Sequence, residues 1–141
     1  MSRTLALDVG ERRIGVAVSD PTGAVAQPLL VIERRGWEPD LARIRELVRA
    51  HEVHRIVVGY PFTLRKERGT QAQRVDRFIA RLRQAVVVDV LPYDERLTTA
   101  AAERALLAGD VRRARRRAVR DAVAAALLLQ GYLDRERAHS L

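Results

Sequence analysis

The spacing of apolar positions changes period several times along the chain, and each change predicts an element. Residues 4–9, 14–19 and 25–32 read as strands. The first two are joined by a short turn that holds Gly10, which predicts a hairpin. Leu41, Ile44 and Val48 then recur at helical spacing and predict a helix over 38–50. "RIVVGYP", residues 55–61, is a buried strand stopped by Pro61, and the polar "FTLRKERGT", 62–70, is a mobile loop. Val75, Phe78, Ile79 and Leu82 mark a second amphipathic helix. "AVVVDVLP", 85–92, is a strand ending at Pro92, and a helix over 99–107 is closed by Gly109. An arginine-rich link leads to a last helix over 117–134. No repeat, low-complexity linker or composition break divides the chain, so residues 1–141 are read as one domain. A hairpin followed by alternating helices and strands predicts an α/β fold: a central mixed five-stranded sheet with helices on both faces.

Three acids break this pattern. Asp8 is the last-but-one residue of the first strand, where a carboxylate in an apolar run is costly unless something meets it. In such sheets functional groups gather at the carboxyl ends of the parallel strands, which is where Asp8 falls. Gly10, without a side chain, leaves room beside Asp8 for a metal and a phosphate. Asp121 opens "DAVAAALLLQGYLD", and its neighbours three, four and seven positions on are Ala124, Ala125 and Leu128. It therefore shares the inward face of the last helix, and the small alanines let that helix lie close to the sheet. A divalent cation would satisfy it. So would a salt bridge to Arg117 one turn earlier, or the dipole of a first helical turn. Asp94 and Glu95 follow the last strand in "YDER", where either acid could face the same edge and Arg96 could pair with the other; a solvated loop is the plainer reading. Carboxylates alone suffice for a hard ion such as Mg²⁺ or Mn²⁺, which keeps waters and takes substrate phosphate as further ligands. His51, His54 and His139 offer no metal-ligand spacing.

Composition bounds what such a site could serve. With 48% apolar and 31% charged residues the chain is globular rather than disordered. No apolar run approaches the ~20 residues of a membrane span, and the N-terminus has no signal-peptide core. The absence of cysteine excludes disulfides, thiolate metal sites and thiol nucleophiles. A cytoplasmic enzyme or binding protein with no membrane partner is the expectation. The net charge is +8, and 25 of the 26 cationic residues are arginine, which favours a polyanionic partner such as nucleic acid. The plainer alternative is a compositional bias that keeps the surface solvated. Arg112, Arg113, Arg115, Arg116 and Arg117 cluster just before Asp121, where they oppose the dipole of a helix start. Arg65, Lys66, Arg68, Gln71, Gln73 and Arg74 form a flexible polar arm that could touch phosphates or base edges. Aromatic residues, at 4%, are too scarce for a base-stacking platform.

Four blocks of this chain, "LALDVGERRIGVAVSD", "VVGYPFTLRKERGTQAQRV", "YDERLTTAAAERALL" and "VRDAVAAALLLQGYLD", resemble in order the signature blocks of the YqgF/RuvX family. The resemblance implies a ribonuclease H-like fold, similar to that of the RuvC resolvases. It implies a metal-dependent nuclease that processes the 5′ end of the 16S ribosomal RNA precursor, with Holliday-junction resolution as the competing activity. It also assigns the catalytic, metal-holding acids to Asp8, Glu95 and Asp121, and the choice of Glu95 over Asp94 is owed to the family alone. The chain departs from the family after Gly59-Tyr60-Pro61, where relatives carry an Asn and a Gly-rich acidic turn and this chain reads "FTLRKERGT". A four-way junction would favour a homodimer presenting two sites, whereas a ribosomal precursor demands none. Two other classes stand beside the nuclease. One is a silent nucleic-acid-binding module using the same basic surface. The other is an ATPase of the actin and sugar-kinase kind, whose phosphate loop "DVGERRIGVAV" also resembles but which uses a much longer, duplicated chain.

Overall fold

The computed structural model describes residues 3–61, 69–94 and 113–140. Among the described residues five strands form one sheet: β1 (Arg3–Val9), β2 (Arg13–Ser19), β3 (Ala26–Glu33), β4 (Val53–Tyr60) and β5 (Asp89–Asp94). Their order is β3-β2-β1-β4-β5. The first three run antiparallel to one another, whereas β4 pairs parallel to β1 and β5 parallel to β4. The mixed five-stranded sheet read from the sequence is therefore the one observed. Helices α1 (Trp37–Ala50) and α2 (Thr70–Ala85) cover one face, and α3 (Arg113–Ser140) covers the other.

The two faces differ in bulk because the strands alternate large and small residues. Leu5, Leu7, Val9, Ile14, Val16, Ile56 and Val58 point to the α1–α2 side and pack with Ile44, Phe78 and Leu82. Ala6, Ala17 and Val57 point to the other side, against Ala125, Leu128, Leu129 and Tyr132 of α3. Small residues on both partners let α3 lie close on the sheet. Its far end is tied by Gln130, which accepts from the Ala26 amide at 2.9 Å and donates to the Ala24 carbonyl at 2.9 Å.

Several element boundaries differ from the sequence reading. The strand expected over 85–92 runs instead over Asp89–Asp94. Ala85 ends α2, the Val86 amide still donates to the Leu82 carbonyl at 3.0 Å, and Val87 is fully exposed in the turn. Pro92 does not end β5, because β5 is an edge strand and a missing N–H on its outer side costs nothing. The last helix starts by Arg113, not Arg117, so the arginine-rich stretch from there on is helix rather than link. Gln71, Gln73 and Arg74 lie in the opening turns of α2 and not in a flexible arm. His54 lies within β4, where its Nδ1 meets the Arg3 carbonyl at 2.8 Å. The helix expected over 99–107 lies outside the described residues.

Candidate active site

Asp8 owes its position to the alternation of β1. Ala6 and Asp8 share the face that looks toward α3, while Leu7 and Val9 serve the opposite core. Across the antiparallel ladder Asp8 pairs with Gly15 of β2. A Cβ built on Gly15 would overlap the carbonyl oxygen of Asp121 and come within 3.1 Å of the Ala122 amide nitrogen. The backbone of α3 at Asp121 thus rests on the hydrogen of Gly15, and Asp8 is the residue directly beside it. Gly15 thus has Asp8 beside it in the ladder and the Asp121 main chain above it.

Neither acid is loosely held. The turn after Asp8 closes through the Gly10 amide, which donates to the Arg13 carbonyl at 2.8 Å. A side chain on Gly10 would strike that carbonyl, at 2.8 Å. Gly10 is therefore required by the turn, a reason the sequence reading did not include. Arg34 fastens the turn from outside. Its guanidinium donates to the Gly10 carbonyl at 3.2 Å and to Asp40 Oδ2 at 3.4 Å, and lies over the rings of Trp37 and Phe78. Asp121 lies more than two turns into α3, so a first-turn dipole effect does not account for it. It forms an ion pair with Arg13, whose Nε donates to Oδ2 at 3.1 Å. Both side chains of the pair are about a quarter to a third exposed, so the acid remains accessible from solvent.

The remaining sequence candidates sort by position. Glu95, Arg65, Lys66, Arg68 and Arg112 lie outside the described residues. Asp94 ends β5 on the face of Val90 and the α1–α2 core, whereas Tyr93 is the residue turned toward α3. Asp94 therefore does not share a face with Asp8. Arg113, Arg115, Arg116 and Arg117 occupy the opening turns of α3. Since α3 passes Gly15 at Asp121 and reaches the β2–β3 turn at Gln130, those opening turns project past the carboxyl end of β1. The start of α2, with Gln71, Gln73 and Arg74, reaches the same edge by topology, because α2 must leave the end of β4 and return to the start of the parallel β5. Sequence reasoning missed Gly15 and Arg13. A glycine inside a strand signals close approach of another backbone, so Gly15 was detectable. Arg13 carried no local signal, because its partner lies 108 residues away.

The donor set suits a hard cation. Carboxylates such as Asp8 and Asp121, in a chain without cysteine, are oxygen ligands of the kind Mg²⁺ and Mn²⁺ take, and one or two suffice where water and phosphate complete the shell. Among the described residues no group of three His, Cys, Asp or Glu comes together. The third acid expected from the resemblance, Glu95, is not among them.

The profile of the RuvX family, described as Holliday junction resolvase, matches residues 2–135. The chain belongs to the RuvX family. Its RuvX relatives include a protein of Moorella thermoacetica named "Putative pre-16S rRNA nuclease", 50% identical over 133 residues that cover 94% of this chain and 95% of the relative. A protein of Symbiobacterium thermophilum with the same name is 52% identical over 128 residues, covering 91% of this chain and 89% of the relative. Among solved structures, the RuvC of T. thermophilus in complex with a Holliday junction substrate superposes with a TM-score of 0.59 at 19% identity, covering 96% of each chain. RuvX and RuvC thus share a fold, as the sequence blocks implied.

Proposed function

We propose that this protein is a metal-dependent nuclease of structured nucleic acid, and that its substrate is the 5′ end of the 16S ribosomal RNA precursor. The observation that carries the reading is that Gly15 brings the Asp121 main chain of α3 against the sheet next to Asp8, near the carboxyl end of β1. The RNA substrate is supported by the names of relatives that share about half their residues with this chain over nearly its whole length. In this reading the chain is one nuclease domain acting in the cytoplasm; among the described residues no helix is long and apolar enough to cross a membrane.

Asp8 and Asp121, with Glu95 as third acid by resemblance, would hold Mg²⁺ or Mn²⁺. Such an ion, when bound, lowers the pKa of an attacking water and offsets charge on the leaving oxygen. The residues of the chain set the geometry around that chemistry. β1 fixes Asp8 on a rigid strand, and the Gly10 turn held by Arg34 keeps the strand end from fraying. α3 brings Asp121 at a height set by Gly15. Arg113, Arg115, Arg116 and Arg117 would receive the phosphate backbone beyond the acids, together with Arg112 and the segment carrying Arg65, Lys66, Arg68, Gln71, Gln73 and Arg74.

The test is cleavage of labelled precursor RNA and of a four-way DNA junction, each with Mg²⁺ or Mn²⁺. The wild type is expected to cut the RNA at a defined 5′ site, and Asp8→Asn or Asp121→Asn to lose about three orders of magnitude in rate, the equivalent of several kcal/mol of transition-state stabilisation. Equal cleavage by wild type and Asp8→Asn sinks the metal-site reading. Junction cleavage without RNA cleavage transfers the same site to the second substrate, which the family description favours and which would favour a two-fold homodimer. Tight binding without cleavage of either leaves a binding module.

A further inference from the structure

Asp121 carries two oxygens, and the structure shows what one of them does. Oδ2 accepts from Arg13 Nε at 3.1 Å. Exposed ion pairs contribute little to stability, and this one is about a third exposed on the arginine side, so stabilising the fold is a weak reason for it. Its location is more telling. Arg13 and Gly15 are two residues apart on the same face of β2, so one strand sets both parts of Asp121: Gly15 its main chain, Arg13 its carboxylate. Arg13 is itself rigidly based. Its carbonyl takes the Gly10 amide at 2.8 Å, it pairs with Glu33 in the ladder, and the adjoining Arg12 carbonyl takes the Arg34 amide at 2.9 Å. The terminal torsion of an aspartate is broad, so without a second contact its oxygens rotate through a wide arc. A single donor on one oxygen fixes the plane and leaves the other oxygen to a ligand.

We propose, on the reading that Asp8 and Asp121 hold a divalent cation, that Arg13 is a positioning residue: it holds Oδ2 so that Oδ1 is presented to the ion in a fixed orientation. Arg13 touches neither the ion nor the scissile phosphate in this role. It acts through Asp121. Hydrogen-bond partners of metal-binding carboxylates behave in this way elsewhere, and their loss costs about 10- to 100-fold in metal affinity. The opposite effect also has a physical basis, because an arginine next to an anionic site repels a cation and its removal tightens binding. The two effects have opposite signs, so one titration separates them.

The experiment is a Mn²⁺ titration of the full-length chain, free of nucleic acid, followed by loss of the free-ion paramagnetic resonance signal. Wild type, Arg13→Gln, Arg13→Lys and Asp121→Asn are compared. Arg13→Gln is expected to bind Mn²⁺ about tenfold more weakly than wild type. Arg13→Lys, which keeps the charge but not the planar Nε donor, weakens it as well. Thermal unfolding without Mn²⁺ is measured alongside. Binding by either variant that equals or exceeds wild type overturns the proposal, as does a lowered melting temperature with unchanged Mn²⁺ affinity, the signature of a merely structural pair. If wild type shows no Mn²⁺ binding that Asp121→Asn abolishes, the metal-site reading itself fails and takes this role with it, a result distinct from failure of the Arg13 variants alone.

Discussion

Gly15 governs the closest approach between helix and sheet. The atoms a side chain there would meet are the Asp121 carbonyl and the Ala122 amide, both main chain, so no rotamer change can relieve the clash and α3 itself must move. Gly15→Ala is therefore expected to destabilise the protein by about 1–3 kcal/mol in denaturant unfolding. Under conditions where the variant remains folded, cleavage should still drop, because the displaced helix carries Asp121 away from Asp8. Full cleavage by a folded Gly15→Ala protein contradicts the geometry described for the site. At this scale the sequence disclosed the acids but not their supports. Asp8 and Asp121 stood out because each interrupts an apolar pattern. Arg13 is one arginine among 25, and only the folded chain reveals which carboxylate it meets.

Elements were legible where one period ran uninterrupted. β1, β2, β4 and α1 fall within a few residues of their predicted bounds, because alternation or helical spacing extends to their ends. The misplaced boundaries have separate physical causes. "AVVVDVLP" is apolar but for Asp89 and has no alternation from which to locate a start, and Pro92 signals a stop only in a strand with neighbours on both sides. The arginines ahead of Asp121 oppose the dipole of α3, yet a few tenths of a kcal/mol per charge is outweighed by the packing of the rest of the helix. That packing is supplemented at one point that can be tested. Gln130 satisfies the main chain on both sides of Val25, and Gln130→Ala leaves the Ala26 amide and the Ala24 carbonyl without that partner. A loss of about 1–3 kcal/mol is expected in denaturant unfolding, with faster hydrogen exchange at the Ala26 amide. Unchanged exchange there would show that the clamp does not hold the β2–β3 hairpin to α3.

For the molecule as a whole, charge is the property with the longest reach. A net +8 and a helix whose arginine-bearing start runs past the acidic edge predict binding dominated by phosphate contacts. With about six such contacts, affinity for a nucleic-acid substrate should fall roughly a thousandfold between ~50 and ~200 mM salt. Replacing Arg113 and Arg116 together by Gln should flatten that dependence; an unaltered slope removes those arginines from the interface. The architecture was readable at this scale because element order alone restricts a hairpin followed by helix–strand alternation to few sheets. How the site is shared along the chain has a consequence in time. Asp8 is made before Asp121, and the helix bearing Asp121 can seat only on a sheet whose second strand is already in position. A chain that has completed its sheet but not α3 lacks one of the acids proposed to hold the metal. On that reading the site is assembled late, only when α3 docks on the finished sheet.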